Sequence, residues 1–182
     1  MQQFSHASVQ ERRSLMSRSL KETNFHGTPM FPLQIYSHKD KNGFNFCNLQ
    51  KYIAKALNNQ KIPIYGDGKN IRDWLYVLDH CKGIDLVYHE GISGETYNIG
   101  GRNERDNLYI AHKICEILDD LKPKEHSYKE QISFVEDRAG HDRRYAIDAT
   151  KIETKLGWEA EENFESGIVK TIEWYLKKYQ TL

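Results

Sequence analysis

Cysteine, proline, net charge and long apolar runs are all scarce in this chain, and each scarcity narrows what it can be. The three cysteines, Cys47, Cys81 and Cys115, lie far apart and form no Cys-x-x-Cys pair. Odd in number and set in apolar helical patterns, they argue against a disulfide framework and predict buried free thiols in a reducing compartment. Lysine plus arginine equals aspartate plus glutamate, 26 of each, so the formal net charge is zero. Without a basic surplus, general binding to nucleic acid or to an anionic membrane surface is disfavoured. No apolar run approaches the ~20 residues of a membrane span, and the N-terminus has no basic-then-apolar signal pattern. The expectation is a soluble, cytoplasmic protein. The eight histidines are scattered without His-x-x-x-His or mixed Cys/His ligand spacing, so no metal centre is expected.

Two catalytic signatures are also missing. A dinucleotide site needs a glycine-rich turn between a strand and a helix N-terminus, with an acid about 20 residues on. Neither Gly-x-Gly-x-x-Gly nor Gly-x-x-Gly-x-x-Gly occurs. Gly66-x-Gly68 leads into a strand, so it cannot aim a helix dipole at a pyrophosphate. A Tyr-x-x-x-Lys pair on one helix would let the lysine lower the tyrosine pKa for base chemistry. Tyr65-x-x-x-Lys69 spans Gly-Asp-Gly and cannot be helical. Tyr109-x-x-x-Lys113 is helical but has no nucleotide-binding unit upstream, so chance spacing on a solvated face explains it.

What is present is a chain of 182 residues, long enough for one domain with a real core. Residues 1–30 are polar and weakly patterned and read as a poorly ordered tail, with a short helix near 8–21. Phe31 to Tyr36 is a candidate strand. Leu49, Tyr52, Ile53, Ala56 and Leu57 form one face of an amphipathic helix. Asp79 is placed to cap a helix carrying Cys81, Ile84 and Val87 inward, ended by Gly91 and Gly94. Glu95 to Ile99 reads as a strand. Asn107 reads as the N-cap of a helix over Leu108–Leu121 with a regular apolar stripe. Ile132–Glu136 and Arg144–Ile147 read as short strands. Asp148 caps a short helix stopped by Gly157, and Phe164–Tyr179 is the last helix. Strands alternating with helices mean α/β.

The stretch Pro63-Ile64-Tyr65-Gly66-Asp67-Gly68-Lys69-Asn70-Ile71-Arg72-Asp73-Trp74-Leu75-Tyr76-Val77 carries the most specific signal. Pro63 limits the first strand to an edge or a strand start. The glycines allow positive φ and a close approach to a ligand. Arg72 can grip a phosphate through two parallel hydrogen bonds. Asn107, Arg138 and His141 also sit at turns or element ends, where polar tips can converge. Local alternatives stand beside this reading. The stretch is equally a β-hairpin with Arg72 paired to a surface carboxylate. Asn107 is equally a plain cap, Arg138 a partner of Asp137 or Asp142, and His141 the end of a turn.

The motifs IYGDGKNIRDWLYVLDH (64–80), GETYNIGGRNERDNL (94–108), ISFVEDRAGHDRRYAID (132–148), and LGW followed by FESGIVKTIEWYL (164–176) resemble the dTDP-glucose 4,6-dehydratases. These are nucleotide-sugar enzymes among the extended short-chain dehydrogenases/reductases. The resemblance covers about residues 46–179. It implies an α/β fold: the edge of an NAD(P)-binding Rossmann-like sheet, including Glu95–Ile99 with an exposed apolar side, plus the small substrate-binding domain. It divides the chain into an unrelated or poorly ordered segment, 1–45, and a C-terminal substrate-binding part, 46–182. By motif position, Tyr65 resembles the tyrosine beside the nucleotide base. Arg72, Asn107, Arg138 and His141 resemble the residues that hold the nucleoside pyrophosphate.

The resemblance implies conversion of dTDP-glucose to its 4-keto-6-deoxy sugar, a step toward deoxysugars. Hydride passes from sugar C4 to tightly bound NAD, water leaves across C5–C6, and hydride returns to C6. The groups that carry this belong to the family's N-terminal portion, and the family's NNYGP segment is replaced here by Lys41-Asn42-Gly43-Phe44-Asn45-Phe46. The expectation is therefore a truncated product or one half of a split enzyme, binding a dTDP-sugar but neither holding NAD nor turning over substrate alone. A homodimer or a complementing N-terminal half is the expected protein partner. A UDP- or GDP-sugar dehydratase or epimerase fragment, or a non-catalytic binding or complementing subunit, remains the alternative.

Overall fold

The computed structural model describes residues 30–32, 48–137 and 139–180. In chain order these form β1 (Met30–Pro32), α1 (Asn48–Leu57), β2 (Ile62–Tyr65), β3 (Ile71–Tyr76) and α2 (Val77–Glu90). There follow β4 (Glu104–Asp106), α3 (Asn107–Leu121), a 3-10 turn (Tyr128–Gln131), β5 (Ile132–Val135), α4 (Thr150–Leu156) and α5 (Phe164–Gln180). The class is α/β, as expected. The helix expected near 8–21 lies outside the described residues, as do 33–36 of the strand expected from Phe31.

β2 and β3 flank the Gly66-Asp67-Gly68 turn but do not form a hairpin. β2 pairs parallel with β5, whereas β3 lies antiparallel between β1 and β4. Burial explains the separation. Ile62 and Ile64 are fully buried under α1 and α3. A parallel partner reached through a helical crossover completes that layer, where a tight hairpin could not. Gly66 and Gly68, at φ of 58° and 72°, turn the chain out of it.

β3 then separates two cores. Successive strand side chains point to opposite faces. Trp74 enters the larger core with Leu49, Ile53, Ile110, Ile114, Leu118, Ile168 and Ile172. Leu75 enters the smaller one with Ile99, Ala149, Ile152 and Trp158. The amphipathic faces expected on α1, α3 and α5 are the ones turned to the core, with Leu57 and Leu176 half-buried at its margin and Leu121 exposed.

Several local expectations need correction. Glu95–Ile99 is not a strand, and Ile99 is 8% exposed rather than open, because Trp158 and the α4 region cover it. Arg144–Ile147 reduces to a single parallel bridge from Arg144 to Ile71. α2 buries Val77, Asp79, His80 and Gly83, while Cys81, Ile84 and Val87 are half-buried. Asp79 lies inside α2 and accepts from the Glu162 amide at 2.8 Å, so it ties α2 to the α5 approach instead of capping its own helix. Asp106, not Asn107, caps α3 by accepting from the Tyr109 amide at 2.7 Å. Asn107 opens the helix and is buried. Cys115 is buried and free, Cys81 is free and half-buried, and Cys47 lies outside the described residues.

Candidate functional site

The site gathers where the parallel pair ends and β3 begins. Arg72 is the second residue of β3 and only 9% exposed. Its guanidinium donates to the Ile71 carbonyl at 2.6 Å, the Asp142 carbonyl at 3.1 Å, and His141 Nε2 at 3.1 Å. One face stacks on Tyr145, with Cζ 4.6 Å from the ring centroid. Two of these partners are backbone carbonyls and the third is a ring nitrogen, and together they fix the orientation of the fork. The loop that supplies His141 and Asp142 is docked on the strand start: Ile71 donates to the Arg143 carbonyl at 2.8 Å and Tyr145 to the Ile71 carbonyl at 3.0 Å.

His141 is held from its other side by Asp137, with Nδ1 2.6 Å from Oδ1. Gly66 makes room for that carboxylate. A Cβ at position 66 would lie 3.1 Å from Asp137 Oδ2. A Cβ at Gly68 would lie 2.6 Å from Ile64 Cγ2 and 2.9 Å from Leu108 Cβ. The space beside both glycines is thus filled by protein atoms, not shaped for a phosphate. The turn leads into β3 instead of a helix, so these residues do not fit the pyrophosphate of a dinucleotide.

Tyr65 ends β2. Its hydroxyl accepts from Lys51 Nζ of α1 at 2.9 Å. Gly66 donates to the Val135 carbonyl at 2.9 Å, which sets Tyr65 beside the chain leading to Asp137. Asn107 is linked to Arg72 through the backbone, donating to the Asn70 carbonyl at 3.1 Å, and its side chain is 3% exposed. Arg138 lies outside the described residues. The structure therefore joins Arg72 directly to His141, ties Asn107 to the same strand start, and sets Tyr65 opposite Val135 at the end of the parallel pair.

The sequence reading missed Lys51, Asn70 and Tyr145. Asn70, 2% exposed, donates to the Asp142 carbonyl at 3.3 Å, the same oxygen that Arg72 uses, while its own Oδ1 has no partner. No local pattern announces these contacts, because Asn70 and Asp142 are 72 positions apart. Nearby, Arg143 donates to Asp67 at 2.8 Å and holds that carboxyl below its ordinary range. Arg144 pairs with Glu104 through two bonds of 2.6 and 2.7 Å.

Two clefts, of about 580 and 210 Å³, open elsewhere: one between α2 and α4, the other along Ile71, β4 and Tyr109. Neither is lined by Tyr65, Arg72, Asn107 or His141, the four described candidates. Among the described residues no group of His, Cys, Asp and Glu is placed to hold a metal ion. No described helix is long and apolar enough to cross a membrane.

The fold is that of part of an extended short-chain dehydrogenase/reductase of the dehydratase and epimerase group. The chain belongs to the family described as GDP-mannose 4,6 dehydratase, whose model matches residues 20–171. Within it, the likeness is to dTDP-glucose 4,6-dehydratases. That of Escherichia coli is 59% identical over 124 residues, 68% of this chain and 34% of the relative. The chain thus spans about a third of the length of the curated relatives it matches.

The crystal structure of the Bacillus anthracis dTDP-glucose 4,6-dehydratase, in complex with NAD, aligns with a TM-score of 0.65 and 42% identity. It covers 74% of this chain and 40% of that one. The Streptomyces venezuelae dTDP-glucose 4,6-dehydratase, with NAD and TYD bound, aligns with the same TM-score at 35% identity and the same coverage. These relatives bear out the expected family and fold class.

Proposed function

We propose that this chain carries the nucleotide-sugar-binding part of a dTDP-glucose 4,6-dehydratase. Arg72 and Arg138 take the pyrophosphate, His141 and Asn107 border it, and Tyr65 lies beside the base. The observation that carries the reading is the preset Arg72 guanidinium. It is nearly buried, oriented by three acceptors and backed by an aromatic ring. An arginine so held loses little further freedom when an anion arrives, which is the condition for a specific phosphate site.

The whole reaction removes water from dTDP-glucose, and NAD supplies the transient hydride acceptor. This chain's residues bind and orient the nucleotide. A glycine-rich turn and a Tyr-x-x-x-Lys pair, supplied by another segment or polypeptide, complete the enzyme. Alone, the chain neither holds NAD nor turns over substrate, because the positioning and base groups that supply most of a rate enhancement are absent from its motifs. A calorimetric titration of the purified chain with dTDP tests the binding role. Weak saturable binding, near millimolar because one side of the pocket is open, is expected. No binding at any attainable concentration would refute it.

A further inference from the structure

We infer that Asp137 is a positioning residue for the anion site, acting through the tautomer of His141. This rests on the reading that Arg72 binds the nucleotide's phosphates, and it adds a residue to that machinery. A guanidinium offers only N–H donors. With Arg72 Nη2 at 3.1 Å from His141 Nε2, the ring nitrogen must present its lone pair. The proton of the neutral ring then sits on Nδ1, where Asp137 Oδ1 accepts it at 2.6 Å. A carboxylate is an acceptor only, so it selects the Nδ1–H form and leaves Nε2 bare for the arginine. With the other tautomer, two donors would face each other and the fork would lose one of its holds.

The same observations account for Gly66. A Cβ at that position would crowd the carboxylate at 3.1 Å, and the backbone there has φ of 58°. His141 is almost fully covered, its side chain 9% exposed, so solvent offers little substitute for the Asp137 bond.

The test is a long-range proton–nitrogen correlation spectrum of histidine-labelled chain without ligand, with the His141 signals assigned by their loss in His141→Gln. The wild type should show the Nδ1–H tautomer. Asp137→Ala should move His141 toward Nε2–H and weaken dTDP binding about tenfold, the scale for losing a group that orients a ligand-binding histidine. Asp137→Asn, whose amide oxygen still accepts, should keep the tautomer and most of the affinity, which a mere loss of folding would not allow. An Nε2–H ring in the wild type, or an unchanged tautomer in Asp137→Ala, overturns the inference. A correct tautomer in a chain that binds no dTDP overturns the nucleotide reading and leaves the Asp137–His141–Arg72 assignment standing.

Discussion

Arg72 shows how one residue type acquires a role from its setting. Each charge-assisted hydrogen bond to an anion in a partly dry site is worth roughly 1.5–3 kcal/mol. Arg72→Ala should therefore weaken dTDP binding by about one to two decades. Arg72→Lys should recover little, since an ammonium keeps the charge but loses both the fork and the stack on Tyr145. Isothermal titration of the three proteins checks this, and unchanged affinity in Arg72→Ala would reduce the residue to a structural tie. Cys115 gives the opposite case. Burial is the main cause that pushes its thiol up to about 12, so the nucleophilic thiolate is suppressed. A thiol reagent should leave Cys115 unmodified in the native chain at neutral pH and label it once denaturant is added. Peptide mapping after native labelling reads the outcome.

At the scale of elements, buried polar ties matter as much as apolar stripes. Asp73, behind Arg72 on the opposite face of β3, accepts from the Gly101 amide at 2.9 Å and the Asn103 amide at 2.7 Å. It thereby fixes the segment leading into β4. Asp73→Asn keeps one carbonyl acceptor and loses the second, so it should cost about 1.5–3 kcal/mol in denaturant unfolding. Gly83 is a second such point. A Cβ there would sit 2.9 Å from Ile99 Cγ2 and 3.1 Å from the Trp158 ring. Gly83→Ala gains about 1 kcal/mol of helix propensity but overpacks the smaller core by roughly 1–3 kcal/mol. The rigid indole leaves little room to yield, so net destabilisation should win. A higher unfolding midpoint in the variant would show that Ile99 simply moves aside.

For the molecule as a whole, two buried groups set limits on stability against pH. Burial holds His80 below its ordinary 6.5, so on acidification the unfolded chain takes up a proton before the fold does. Stability should fall as pH drops below 6.5 toward that lower value. Cys115 acts at the other end. Its thiol ionises near 9.0 when free but near 12 in the fold, so stability should fall as pH rises from 9 toward 12. Urea midpoints at about pH 5, 7 and 10 should describe a dome, and His80→Leu should flatten its acid limb. An equally steep acid limb in that variant would assign the effect to other groups.

The sequence by itself determined the described α-helices, the α/β class and the family. Amphipathic spacing on α1, α3 and α5 is a property of three or four neighbouring residues, and the motifs around Arg72 and His141 are contiguous. Gly157 likewise announced the end of α4, where it adopts φ of 68°. Only the tertiary structure decided which strands pair, because β2 takes β5 and β3 takes β1 and β4, all partners far along the chain that no local pattern marks. It alone decided that Asp106 takes the cap and Asn107 the interior, a choice one residue wide that burial of the α3 start settles. It alone set Asn70 against Asp142 and His141 between Arg72 and Asp137. The contacts from Asn70 and Arg72 bridge about seventy positions and form only when residues 141–145 are docked onto the start of β3.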